Sequence, residues 1–205
     1  MHIVDGALSS AVVIGGAVLT VGGLALGVRS LTLEKLPAAG ILSATFFVAS
    51  LIHVPIGPSS VHLIMNGLAG LVLGWSAFPA LFVGLLLQAV FFGFGGLTVL
   101  GVNTLNIALP AVLIGLVCQQ GIRHANPRIA ALWGALAGSG AIALTTLCVA
   151  VALLLSGQEF IPAAKLVFLS HIPIMVIEGL VCAAAVYLIR RVNPTVFASL
   201  EGHPA

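Results

Sequence analysis

Charge is the scarcest thing in this sequence. Seven Lys and Arg and five Asp and Glu among 205 residues make 6% charged, where an ordinary soluble domain carries about 25%. So few charges cannot coat a water-facing surface. With 60% hydrophobic residues and a mean hydropathy of +1.26, lipid is the solvent for most of the chain. That excludes a soluble enzyme, and a net charge of +2 gives no footprint for nucleic acid. Cysteine is also scarce: Cys118, Cys148 and Cys182 lack CxxC spacing and read as small apolar packing residues, not a disulfide framework or ligands. HExxH, GxxxxGK[ST] and CxxCH are all missing, which argues against a zinc protease, an ATPase and a covalent haem protein. No enzyme activity is expected. Met1–Ser10 lacks the positive region of a cleavable signal peptide. His2 is too large for methionine removal, so the mature chain is expected to begin at Met1 with a free amine.

Apolar sequence is what fills the gap. Runs near 8–28, 36–53, 61–75, 77–94, 104–122, 129–155 and 164–190 suggest an all-α, polytopic membrane protein of about seven spanning helices in one domain, 1–205. The third and fourth runs are separated only by Trp75–Pro79. One helix over both would measure about 55 Å, against a hydrocarbon core of about 30 Å, so a tight helical hairpin is expected. With an odd number of spans and the N-terminus outside, Arg29, Lys35, Arg123, Arg128, Arg190 and Arg191 are cytoplasmic and only Lys165 is outside. That asymmetry predicts N-terminus out and C-terminus in.

The few polar residues then become informative, because each intramembrane polar group is expensive. His2, Asp5, His53, His62, Asn103, Asn106 and His171 all fall toward the outer side, while His124 and His203 fall in cytoplasmic segments. A histidine at position two offers a free α-amine, its own deprotonated amide and an imidazole, which close fused five- and six-membered chelate rings. One more imidazole would complete four nitrogens in a tetragonal set, a geometry suited to Ni(II) and Cu(II); an exposed terminal residue is the plain alternative. His53 and His62 flank Pro55, Gly57 and Pro58, so a broken re-entrant or loop segment is expected there. His62 could point inward, and His53 could equally cap or sit at the interface. Asn103 and Asn106 share a helix face and would line a cavity, support ligands or bond between helices. His171 and Glu178, two turns apart, would share a face. Glu178 near mid-membrane must pair or stay protonated, and helix glue is its simplest role.

The motifs in order resemble the CbiM/NikM family, the substrate-binding membrane components of cobalt and nickel energy-coupling factor transporters. The resemblance rests on Met1-His2-Ile3-Val4-Asp5-Gly6, Ser59-Ser60-Val61-His62, Phe92-Gly-Phe-Gly-Gly-Leu-Thr98, Leu100-Gly-Val-Asn-Thr-Leu-Asn106 and His171-Ile-Pro-Ile-Met-Val-Ile-Glu-Gly179. It implies seven helices in a bacterial cytoplasmic membrane, with segment 1–7 threaded into the bundle. It implies metal held by the Met1 amine, the His2 amide and imidazole, and the His62 imidazole. Asp5, His53, Asn103, Asn106 and His171 are candidates to support those ligands, with Asp5 expected to hold the N-terminal segment against Asn103 or Asn106. Nickel or cobalt is transported substrate rather than cofactor. The implied partners are a transmembrane coupling component, ATP-binding cassette ATPases and a separate small accessory membrane subunit. Val4 and Ala7 depart from the family's usual Pro and aromatic residue. A stand-alone channel or secondary permease using His171 and Glu178 as a proton relay, and an intramembrane metalloenzyme, are the competing readings.

Overall fold

The computed structural model describes residues 2–51, 53–56, 59–124, 126–193 and 195–197, with backbone alone at 53–56, 59–60 and 158. In chain order the elements are α1 (Ser10–Arg29), α2 (Leu36–Ala49), β1 (His53–Ile56), β2 (Ser59–His62), α3 (Asn66–Leu73), α4 (Ala77–Phe92), α5 (Leu100–Ile122), α6 (Pro127–Ser156) and α7 (Ile161–Val192). The described residues are all-α apart from one hairpin. Among the described residues, five apolar stretches are long enough to cross a bilayer: α1, Asn66–Phe92, α5, α6 and α7. α2, with 14 residues, is about 21 Å long and falls short of a hydrocarbon core of about 30 Å.

Two expectations need correction. The third apolar run is not a spanning arm of a helical hairpin. α3 has eight residues, about 12 Å, and runs through a 3-10 turn at Gly74–Ser76 into α4. Gly74 takes φ 57° in that turn. The segment around Pro55 is an antiparallel hairpin rather than irregular loop, with His53 paired to His62 and Ile56 to Ser59. Proline is tolerated there because a two-stranded ribbon has only edge strands.

α3 is the axis of the bundle, and all eight of its residues are buried. Small residues let its backbone touch its neighbours. A Cβ on Gly67 would lie 2.6 Å from the Ala137 carbonyl of α6, and one on Gly70 would overlap the Ala111 carbonyl of α5. Close approach at glycine is how helices gain dispersion contact in lipid, where no hydrophobic drive exists. Large apolar residues point outward instead, among them Ile14, Val18 and Val21 of α1 and Leu180 and Leu188 of α7. The polar residues His2, His62, Asn66, Gln88, Asn103, Asn106, His171 and Glu178 are buried.

The helices share two ends. At one, Ser30 Oγ meets Ser76 Oγ at 2.9 Å, and Arg190 donates to the carbonyls of Arg123 (3.3 Å) and His124 (3.0 Å). At the other, the Ser9 amide donates to Ser156 Oγ at 3.1 Å. Arg29, Arg123, Arg128 and Arg190 therefore gather at one end of the bundle.

Candidate metal centre

Residues 2–5 run into the bundle instead of away from it. Ile3 is clamped by a reciprocal pair: its N–H donates to Asn103 Oδ1 at 2.9 Å, and Asn103 Nδ2 donates to its carbonyl at 3.0 Å. Its side chain is fully buried against Val102, Val149, Leu153 and Val167. The Asp5 N–H donates to the Gly95 carbonyl at 2.8 Å. The Asp5 carboxylate accepts from Thr98 Oγ1 at 2.5 Å and the Val99 N–H at 3.3 Å. It thus sits at the positive end of α5, where an anion is favoured. Asp5 was expected against Asn103 or Asn106; Asn103 is instead spent on Ile3, and the start of α5 supplies the donors. The loop has room because Gly95 (φ 77°) and Gly96 (φ 123°) carry no Cβ. One on Gly95 would lie 2.8 Å from Asn103 Nδ2, and one on Gly96 would overlap the Asp5 carboxylate.

That path brings His2 against His62, residues 60 positions apart. His2 Nδ1 and His62 Nε2 are 3.1 Å apart, and the rings stack at 4.7 Å between centroids. Both residues are almost fully buried, at 3% and 2% exposed.

The surrounding bonds assign the tautomers. Gln88 Nε2 donates to Ser50 Oγ at 2.5 Å, and Ser50 Oγ donates to the Phe47 carbonyl at 3.0 Å. The Gln88 amide is therefore oriented with its carbonyl toward His2, whose Nε2–H donates to Gln88 Oε1 at 2.6 Å. His62 Nδ1–H donates to the Leu63 carbonyl at 2.8 Å. Burial holds the His62 imidazole well below the usual histidine pKa, so the ring is neutral. With Nε2 of His2 and Nδ1 of His62 carrying the protons, the two nitrogens that face each other are both acceptors. A cation between them makes that contact attractive.

The other expected residues divide. His53 stands opposite His62 in register, and its side chain lies outside what is described, as do Met1 and His203. Asn106 does not join Asn103 at the N-terminal segment: it lines a groove of about 630 Å³ between α1, α5 and α6. His171, fully buried, donates from Nδ1 to the Val167 carbonyl at 2.5 Å in the preceding turn. Glu178 Oε1 accepts from the N–H groups of Ile64 and Met65, at 2.5 and 2.8 Å. His171 and Glu178 thus have separate partners and no direct bond to each other among the described residues. No cluster of three or more His, Cys, Asp or Glu that could hold a metal occurs among the described residues.

Sequence reasoning missed Gln88. Its signal was present: it is the one polar side chain in the sixteen residues of α4.

Long apolar helices packed around buried polar groups, with two imidazoles converging from residues far apart in sequence, define a multi-pass integral membrane protein with an internal nitrogen-rich site. A family model described as the cobalt uptake substrate-specific transmembrane region matches residues 2–196, and the chain belongs to that family. A Haemophilus influenzae protein assigned to metal transport is 39% identical over 206 residues, covering 98% of each chain. A fused nickel transport protein of Rhodobacter capsulatus is 40% identical over 88 residues, 42% of this chain and 25% of the longer relative. A crystal structure of a truncated transition metal transporter superposes over the full length of both chains with a TM-score of 0.70 at 26% identity.

Proposed function

We propose that the chain captures Ni²⁺ or Co²⁺ at the outer face of a bacterial cytoplasmic membrane, as the substrate-binding component of an ATP-driven energy-coupling factor transporter. The observation that carries this reading is the 3.1 Å approach of His2 Nδ1 and His62 Nε2, two acceptors brought together in an apolar bundle. With metal–nitrogen bonds of about 2 Å, adjacent corners of a planar four-nitrogen set lie about 3 Å apart. Nδ1 is also the His2 nitrogen that closes a six-membered chelate ring with the His2 amide. The Met1 amine and the His2 amide nitrogen complete the set, and the His62 imidazole is the fourth nitrogen. Four nitrogens in a plane suit Ni(II) and are accepted by low-spin Co(II), with nickel slightly favoured.

The finer topology belongs to the same proposal: seven helices, N-terminus out, C-terminus in. The gathering of basic side chains at one end of the bundle supports it. No Walker motif is present in the sequence, so inward release is driven by separate ATPases through a transmembrane coupling component, and a small accessory subunit is a further partner.

Inserting one Ala between Met1 and His2 tests the chelate directly. It enlarges the ring system by one residue and should abolish high-affinity binding of Ni²⁺ and Co²⁺ to the purified protein. Unchanged affinity would exclude the N-terminal site. A competition titration between the two ions decides the preference.

A further inference from the structure

Glu178 lies on α7, more than a hundred residues from His62, and its hydrogen bonds go to Ile64 and Met65 instead. It nevertheless holds the peptide that holds His62. The Leu63 carbonyl, which accepts from His62 Nδ1–H at 2.8 Å, and the Ile64 N–H, which donates to Glu178 Oε1 at 2.5 Å, belong to one peptide unit. The Met65 N–H donates to the same oxygen at 2.8 Å. Two N–H groups converging on one oxygen is the donor set a carboxylate takes. Glu178 is fully buried, and Oε2 has no hydrogen-bond partner among the described residues. Helix glue would be an adequate account of such a group if its bonds went to another helix's side chains. They go instead to the two residues that set the direction of the chain as it leaves β2, where Met65 takes φ 58°.

We infer that Glu178 is a positioning residue for the metal: through the Leu63–Ile64 peptide it fixes the tautomer of His62 and strengthens Nε2 as a donor. With Glu178 ionised, the acceptor on the N–H of that peptide is negative and its carbonyl becomes a better acceptor, because bonds in a chain polarise one another; Glu178→Gln tests that charge. A stronger bond at Nδ1–H pushes electron density onto Nε2. Histidine ligands are commonly oriented this way by a carboxylate in direct contact; here a peptide stands between the two. This arrangement also explains why a group so costly in a membrane interior occupies that place on α7. The inference rests on His62 being a metal ligand.

The test measures Ni²⁺ and Co²⁺ affinity and the ligand-field absorption of the bound ion, for the purified wild type and for Glu178→Gln, Glu178→Ala and His62→Ala. Thermal unfolding of each metal-free protein runs alongside. Glu178→Gln keeps an oxygen for the two N–H groups and removes the charge. It should unfold near wild type yet bind about tenfold more weakly, with a shifted absorption band. Glu178→Ala should lose about a hundredfold. Should Glu178→Gln match wild type in both affinity and spectrum, the inference fails. It fails equally if both Glu178 variants lower thermal stability without changing affinity, since that is helix glue alone. His62→Ala separates the two levels: if it binds metal like wild type, the site itself is wrong, whatever Glu178 does.

Discussion

Replacing Gln88 by leucine gives the sharpest prediction, because it changes the site without touching a ligand. Leucine has nearly the volume of glutamine and suits a helix as apolar as α4, so the bundle should form. What disappears is the acceptor for His2 Nε2–H, 2.6 Å away in the native protein. That bond favours the Nε2–H tautomer by about 1 kcal/mol. Without it, the proton moves to Nδ1, where it meets the acceptor His62 Nε2 at 3.1 Å and forms an N–H···N bond worth about another 1 kcal/mol. Metal must then displace a proton and break that bond. The lost Gln88 bond is absent from the free and the metal-bound variant alike, so the penalty is the N–H···N bond, about 1 kcal/mol or roughly a fivefold rise in Kd. Glu at the same position keeps an oxygen acceptor, so Gln88→Glu should stay near wild type. Titration of the purified protein with Ni²⁺ measures the affinity, and nitrogen chemical shifts of the His2 ring report the tautomer. An unchanged Kd in Gln88→Leu, with the ring proton moved to Nδ1, would refute the argument outright.

Three further outcomes follow from the same geometry. His62→Ala should remove high-affinity binding while His124→Ala, on an exposed turn at the basic end, leaves it intact; equilibrium binding distinguishes them. Asn103→Ala deletes both bonds to the Ile3 main chain, leaving a buried N–H and carbonyl unsatisfied at about 1–3 kcal/mol each. Metal affinity should fall by at least about tenfold, and residues 2–5 should gain hydrogen exchange. Gly95→Ala puts a Cβ 2.8 Å from Asn103 Nδ2 at a position with φ 77°, so it should weaken binding too, without a change in the far-ultraviolet helical signal.

The sequence announced the parts that break a local pattern. A polar residue in a chain this apolar is conspicuous, and His2, His62, Asn103 and Glu178 were all visible for that reason. Their partners were not. Whether Asn103 meets Asp5 or Ile3 depends on how deep residues 2–5 enter the bundle, which is settled by Gly95, Gly96 and the start of α5. The shortness of α3 was hidden because Met65 adopts a left-handed conformation that non-glycine residues seldom announce. Hydropathy does not see a turn made of apolar residues. The Leu63–Ile64 peptide was invisible for another reason: it contributes only main-chain atoms, which every residue has. Gln88 was legible in retrospect, as a lone amide on an apolar helix.

The N-terminal segment has one consequence for how the protein is made. Residues 2–5 are synthesised before their partners Gln88, Gly95, Thr98 and Asn103, which lie up to 100 positions later. The site therefore cannot exist while α1 and α2 are entering the bilayer. That segment must wait in contact with water or lipid headgroups, then close a loop spanning about 100 residues. It docks only after α4 and α5 have packed. On this account the proposed ion site forms late, only once the middle of the chain is in place.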